Sequence, residues 1–298
     1  MISVVINTFN EEKNLPNALA SVKDLADEIV VVDMHSDDKT AAIAKKFGAK
    51  VYQHERTNYV EPARNFAISK ATGDWILILD ADEEVPVLLA KKLKKLAELE
   101  EKQIYRIPRK NIIFGKWMKY SRWWPDHNIR FFKKGTVVWD DQIHSVPITS
   151  GDSTELEADE KLALVHYNYQ TIEQFVDRLN RYSTIQAERL VKNNKYHFVW
   201  SDLLKRPIAE FLSRFFAGEG YKDGIHGLAL ANLQAFSELI VYLKVWQLEK
   251  FRLEDLELEK VVAQMKTLEK DSHYWQADSL TKQTGKLKHK IKRKFKLG

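Results

Sequence analysis

Residues 75–84 read Trp-Ile-Leu-Ile-Leu-Asp-Ala-Asp-Glu-Glu, so an apolar stretch runs straight into four acids within five residues. The apolar part has the length of a buried strand, and its end carries groups that could do chemistry. In extended backbone, residues i and i+2 point the same way, so Asp80 and Asp82 are expected to share one face at the strand's carboxyl end. Carboxylate oxygens are hard ligands for Mg²⁺ or Mn²⁺, and these ions complete their shells with phosphate oxygens and water. The pair therefore suits a site for a nucleoside diphosphate. An isolated Asp-x-Asp is usually no more than a strand end before an acidic helix start, so the surrounding elements must decide.

Those elements alternate. Residues 2–6 read as a strand, and Thr8-Phe9-Asn10-Glu11-Glu12 as a turn and helix start. Residues 29–32 form a second expected strand, followed by Asp33-Met34-His35-Ser36-Asp37-Asp38 and a helix over 39–47. A third strand is expected at 50–53, a helix at 61–71 and a fourth strand at 75–79. Strands separated by helices of this length predict a parallel sheet with right-handed crossovers, and such sheets bind ligands beyond the carboxyl ends of their strands. Residues 7–10, 33–38 and 80–82 all fall on that edge.

Residues 86–102 are expected as a charged surface helix. Between 104 and 148, Pro108, Gly115, Pro125, Gly135 and Pro147 punctuate short aromatic-rich segments, which predicts an antiparallel extension. From Thr171 the pattern is helical, ending in a charged helix over 254–270. The expected organisation is a catalytic domain over 1–165 (a nucleotide-binding half, 1–102, and an acceptor half, 103–165), a helical region over 166–275 and a basic amphipathic tail over 276–298.

A chain of 298 residues with 44% hydrophobic content can bury a substantial core. It has no cysteine, which excludes disulfides and thiolate metal sites and suits a reducing cytoplasm. No secretory signal and no apolar run long enough to span a bilayer are expected. The net charge of +5 is local, because residues 276–298 hold eight Lys/Arg against the single acid Asp278. Within that tail Leu287, Ile291 and Phe295 recur every four residues among lysines. This pattern predicts an amphipathic helix for an anionic membrane surface, and the competing reading is a disordered basic tail. The body lacks a basic groove, so no nucleic-acid partner is expected.

Val4-Val5-Ile6-Asn7-Thr8-Phe9-Asn10-Glu11-Glu12, the Val-Val-Asp-x-x-Ser-x-Asp of residues 31–38, Arg64-Asn65 and Asp80-Ala81-Asp82-Glu83 stand in the order and spacing of family 2 glycosyltransferases. The chain resembles that family over about its first 150 residues. Phe114-Gly115-Lys116-Trp117, Trp124-Pro125-Asp126, Arg130-Phe131-Phe132, His144, His166-Tyr167 and Gly220-Tyr221-Lys222-Asp223-Gly224 resemble its bacterial lipopolysaccharide-core glucosyltransferase-like branch. The resemblance implies a GT-A fold and inverting hexose transfer from a nucleotide sugar, a UDP-sugar first, to a glycan or lipid-linked saccharide with Mg²⁺ or Mn²⁺.

It also implies roles. Asp33 would accept from the uracil imide, the Thr8, Asn10 and Glu11 loop would line the nucleoside, and Arg64 would face the diphosphate. Asp80 would contact ribose or a metal-bound water, Asp82 would ligate the metal, and Arg130 would bind a phosphate. Competing readings are a helix cap for Asp33 and a surface ion pair for Arg64. The base that takes the acceptor's proton is sought in Trp139-Asp140-Asp141-Gln142-Ile143-His144, with Asp141 first and His144 second, as base or extra ligand. Relatives of this branch read His-Glu where this chain reads His144-Ser145, which removes a glutamate base. Trp117, Trp123 and Trp124 would cover the acceptor or fill core, and His166 reads as a packed strand-end residue. The rivals are a protein-modifying glycosyltransferase with the same donor site, a nucleotidyltransferase and a non-catalytic membrane scaffold. A nucleotidyltransferase would want a Gly-rich basic loop after the first strand, where residues 7–12 offer Asn and Glu.

Overall fold

The computed structural model describes residues 1–56, 61–139, 147–192 and 196–298. The chain forms two compact units, Met1–Trp117 with Trp124–Asn168, and Met118–Trp123 with Tyr169–Gly298. The first boundary thus falls at 168/169 instead of 165/166, because His166 lies inside a strand.

The first unit opens with β1 (Ile2–Thr8), α1 (Leu15–Val22), β2 (Glu28–Asp33), α2 (Thr40–Lys46), β3 (Lys50–Gln53), α3 (Glu61–Lys70), β4 (Trp75–Asp80), β5 (Glu83–Glu84) and α4 (Val87–Leu99). It continues with β6 (Ile104–Ile107), β7 (Arg109–Ile113), β8 (Lys116–Trp117), β9 (Asn128–Lys133), β10 (Val137–Val138), β11 (Ile148–Thr149), β12 (Ser153–Glu155) and β13 (Leu164–Tyr169). Seven strands form one sheet in the order β12-β6-β9-β4-β1-β2-β3. β1 runs parallel to both β2 and β4, and β9 enters antiparallel between β4 and β6. A second sheet has the order β5-β13-β7-β8.

Both faces of the central strands are covered, which is why they read as continuous apolar runs. Val4, Ile6, Leu77 and Leu79 turn to one side, against Leu15, Leu19 and Val22 of α1 and Leu89, Leu93 and Leu96 of α4. Val5, Ile76 and Ile78 turn to the other, against Ala67, Ile68 and Ala71 after the α3 start. Trp75 stacks on Phe131 at 4.8 Å between ring centroids, fixing β9 on β4. Gly73 lets the chain pass tightly by β1, since a Cβ there would lie 2.7 Å from Ser3 Oγ and 2.8 Å from the Met1 carbonyl oxygen.

The second unit holds α5 (Ile172–Val191), α6 (Asp202–Leu212), a π-helical turn (Ser213–Ala217), a 3₁₀ turn (Gly220–Asp223), α7 (Ile225–Leu248), α8 (Leu258–Thr284) and α9 (Leu287–Phe295). Residues 118–123 belong here because the buried Asp223 accepts from the Lys119 and Tyr120 N–H groups at 3.1 and 2.9 Å. Contrary to the expectation from sequence, α7 is long and apolar enough by length and composition to cross a membrane, with a third of that stretch buried. Its polar residues are too spread out to interrupt the average. The expected helix over 254–270 runs on to Thr284, across the anticipated start of the tail, and Gly285 (φ 65°) ends it. The tail itself is helical. Leu287, Ile291 and Phe295 are 70%, 47% and 61% exposed, while Arg293 and Lys296 reach Asp278 and Asp271 of α8 at 2.8 and 2.9 Å.

Candidate active site

Register brings the chemistry to one edge. Thr8 pairs beside Asp33, and Asn7 beside Asp80, so β1, β2 and β4 end level. Asn7 donates to the Ala63 carbonyl at 3.0 Å and holds α3 against this edge. The loops after β1 and β2 are laced together. The Asn10 N–H donates to Ser36 Oγ at 2.9 Å, Asn10 Oδ1 accepts from the Asp37 N–H at 2.8 Å, and the Glu11 N–H donates to Thr40 Oγ1 at 2.8 Å. Asn10 and His35 both sit at left-handed φ (54° and 57°), which turns these loops sharply. Asp33 is buried and accepts from the Ser36 hydroxyl, the Ser36 N–H at 3.2 Å and Gln53 Nε2 at 3.1 Å. A carboxylate offers about four acceptor positions, so one is left for a ligand N–H. Thr8 Oγ1 is buried and has no partner among the described residues.

At β4 the strand stops at Asp80 and a turn follows, so Asp80 and Asp82 do not share one extended face as expected from the alternation. Their surroundings differ completely. Asp80 Oδ1 takes Arg64 Nη2 at 3.1 Å and Oδ2 takes Arg130 Nη2. Arg130 Nη2 also lies 2.8 Å from Glu83 Oε1, and Arg109 Nη1 lies 3.5 Å from the same oxygen. Glu83 closes the turn by accepting from the Asp80 N–H at 2.9 Å. Burial pushes the Asp80 pKa up, but Arg130 and Arg64 overcome it and hold the carboxyl well below its usual range. Burial likewise opposes the charge on Arg130, and Asp80 and Glu83 reverse this and raise its pKa.

Two expectations change here. Arg130 is only 3% exposed and serves as the internal counter-ion of Asp80 and Glu83, where a phosphate ligand was expected. Asp80 has both oxygens on guanidinium groups, where a contact to ribose or a metal-bound water, or a share in the metal with Asp82, was expected. Arg64 does form an ion pair, the bland alternative, yet it is an inward one whose buried Nε has no partner among the described residues.

Asp82 faces a residue that sequence reasoning set aside. His166 Nε2 lies 3.7 Å from Asp82 Oδ1, and both side chains are largely buried. The pairing of His166 with Glu83 across β13 and β5 puts it there. Its Nδ1 meets Asn111 Oδ1 at 2.7 Å, and Asn111 Nδ2 donates to Asp126 Oδ2 at 2.9 Å. The sequence marks His166 only through the His166-Tyr167 stretch; the pairing of two strands some eighty residues apart is what places it beside Asp82. Among the described residues no group of three His, Cys, Asp or Glu is arranged to hold a metal ion alone. A carboxylate oxygen and an imidazole nitrogen side by side do fit Mg²⁺ or Mn²⁺, which take their remaining ligands from phosphate and water.

Asn65 has a mechanical part. Its amide donates to the Trp139 carbonyl at 2.6 Å and its oxygen accepts the Trp139 N–H at 2.9 Å, fixing the residue that precedes 140–146. Arg64 lies 5.7 Å from the centre of the Trp139 ring.

The sequence profile of glycosyl transferase family 2 matches residues 3–152. The chain belongs to that family. An uncharacterized glycosyltransferase of Rickettsia typhi is 33% identical over 83% of this chain and 87% of its own length. The lipopolysaccharide core biosynthesis glycosyltransferase LpsC of Rhizobium meliloti is 23% identical over 83% and 92%. Among solved structures, residues 1–349 of S. aureus TarS in complex with UDP share 15% identity over 86% of this chain and 93% of that one, with a TM-score of 0.46.

The fold of this glycosyltransferase is GT-A: a mostly parallel sheet with an antiparallel insertion, its site on the carboxyl edge, and a helical region after it. Asp141 and His144, the two candidates for the base, lie outside the described residues. Trp124 packs edge-on against Trp117 at 5.3 Å, and Lys110 Nζ stands 4.6 Å from the Trp117 ring centre. Trp123 belongs to the helical unit, so the three tryptophans do not form one platform within the catalytic unit.

Proposed function

We propose that this glycosyltransferase is an inverting hexosyltransferase that uses a nucleotide sugar, UDP-linked, and Mg²⁺ or Mn²⁺. Its acceptor would be a hydroxyl of a glycan or lipid-linked saccharide in cell-envelope polysaccharide or lipopolysaccharide biosynthesis. The observation that carries the proposal is the Asp82–His166 pair beside the Arg64–Asp80–Arg130–Glu83 network at the edge where β1, β2 and β4 end.

Asp33 keeps one acceptor position for the base, and Thr8, Asn10 and Glu11 line the nucleoside from a loop that is already braced. Arg64 has a buried Nε–H for a phosphate oxygen. A divalent cation held by Asp82 and His166 supplies charge neutralisation for the leaving diphosphate. The acceptor oxygen bonds to the anomeric carbon, the bond from that carbon to the diphosphate oxygen breaks, and the diphosphate leaves with the electron pair. The acceptor's proton goes to a base on the opposite face, Asp141 first and His144 second.

The tail helix supports a working position at the cytoplasmic face of an anionic membrane, since apolar Leu287, Ile291 and Phe295 are exposed among lysines. Calorimetry of UDP binding with and without Mn²⁺, on wild type and Asp82→Ala, tests the donor site. Metal-dependent UDP binding that disappears in Asp82→Ala is the expected result. Failure of the wild type to bind any nucleoside diphosphate would overturn the proposal.

A further inference from the structure

The surroundings of His166 determine which ring nitrogen carries hydrogen. Asp126 receives Arg109 Nε at 2.9 Å, Arg109 Nη2 at 2.8 Å, Asn128 Nδ2 at 3.2 Å and Asn111 Nδ2 at 2.9 Å. A carboxyl facing four donors is ionised and can only accept. Burial pushes its pKa up, and Arg109 with Asn111 outweighs that and brings it down. The Asn111 amide must therefore turn its NH₂ to Asp126, because the opposite orientation would set a carbonyl oxygen against a carboxylate. Its oxygen is then the atom that meets His166 Nδ1 at 2.7 Å. Asn111 is fully buried and His166 nearly so, which leaves bulk water little access to either contact. An amide oxygen has no hydrogen to give, so Nδ1 carries the proton. With Nδ1 committed to the Asn111 oxygen, Nε2 is the ring nitrogen that faces Asp82 Oδ1, 3.7 Å away, and the one whose lone pair a cation could take.

We infer that Asp126 and Asn111 are positioning residues that lock His166 in its Nδ1–H tautomer, so that Nε2 stands beside Asp82 ready to ligate a divalent cation. The second half of this inference rests on the donor-site reading above. The first concerns hydrogen positions alone. Partners that orient a ligating imidazole through its other nitrogen change metal affinity by roughly 10- to 100-fold when removed.

The test has two readouts. Long-range ¹H–¹⁵N spectra of the metal-free full chain with ¹⁵N-labelled histidine, assigned with His166→Gln, report the tautomer directly. Wild type should show an N–H at Nδ1; an imine nitrogen at Nδ1 with the hydrogen on Nε2 overturns the inference. Mn²⁺ titration followed by electron paramagnetic resonance should show affinity about 10- to 100-fold weaker in Asn111→Leu. The charge-conserving swap Asn111→Asp with Asp126→Asn again offers Nδ1 an acceptor backed by a donor, and should recover the tautomer and most of the affinity. Wild-type tautomer and affinity in a folded Asn111→Leu would sink the proposal. A wild type with the expected tautomer that binds no Mn²⁺ would refute the metal reading and leave the tautomer lock standing.

Discussion

Replacing Arg130 by methionine separates a buried counter-ion from a substrate contact. Arg130 Nη2 is shared between Asp80 and Glu83, and the side chains of Arg130 and Glu83 are 4% and 0% exposed. Methionine fills most of the volume and removes the charge. Glu83 would keep the Asp80 N–H at 2.9 Å and Arg109 at 3.5 Å, while Asp80 would keep Arg64. Removing one partner of a buried ion pair costs about 3–5 kcal/mol. The residual partners favour the lower end, about 3 kcal/mol, which lowers Tm by roughly 6–12 °C in a domain of this size. Near-UV circular dichroism melts would measure it. Arg130→Met combined with Glu83→Gln removes the stranded charge and should recover more than half of the loss. A single variant that loses less than about 1 kcal/mol, or a double variant that melts no higher than the single, would refute the reasoning. Below its melting temperature Arg130→Met should bind UDP within a few-fold of wild type. A tenfold weaker UDP affinity at unchanged Tm would return Arg130 to the substrate.

At the opposite end of the sheet, burial opposes the charge of Glu28, but hydrogen bonds from Lys50, Ser3 and Thr72 bring its pKa from 4.5 to about 2. A depressed carboxylate pKa stabilises the fold above pH 4.5, and that stabilisation, on the order of 3 kcal/mol, is lost as pH falls toward 2. Between pH 5 and pH 3 the wild-type Tm should therefore fall further than that of Glu28→Gln; parallel curves would contradict it. For the tail, changing Lys288, Lys290 and Lys292 to Gln removes about 1 kcal/mol each at an anionic leaflet, so binding to phosphatidylglycerol vesicles should weaken roughly a hundredfold. Equal sedimentation of wild type and variant would remove the membrane from the proposal.

The nucleotide-binding half was legible because its signals are local. Buried parallel strands read as apolar runs, and β3 matches the expected bounds while β1, β2 and β4 are one or two residues longer than theirs. The carboxyl edge collected Thr8, Asp33 and Asp80 as the alternation of elements implied. What stayed hidden depends on strand pairing at long range. His166 sits beside Asp82 only because β13 pairs with β5, and Asn65 grips Trp139 across 74 positions in sequence. Arg130 was expected to bind a phosphate, and nothing near it in sequence shows its burial beside Asp80 and Glu83. Its burial follows from β9 entering between β4 and β6, which no local pattern encodes.

The charges at this edge bear on why Asp82 and Asp80 part company. Asp80, Glu83 and Asp126 are each matched by a guanidinium of Arg64, Arg109 or Arg130, so this part of the network is close to neutral before any ligand arrives. A nucleoside diphosphate adds further negative charge, and Asp82, beside the His166 imidazole, already shares the field of Arg130 with Asp80 and Glu83. Desolvating that added negative charge is unfavourable, and a divalent cation at Asp82 would relieve it. The three arginines therefore hold the acidic turn in shape, and the second acid of the motif remains the one suited to a metal. On this argument Asp80→Asn should cost more stability, through the stranded Arg64 and Arg130, than Asp82→Asn, and Asp82→Asn should abolish metal-dependent UDP binding. The opposite pattern in melts and calorimetry would mean that the two carboxylates have been assigned the wrong way round.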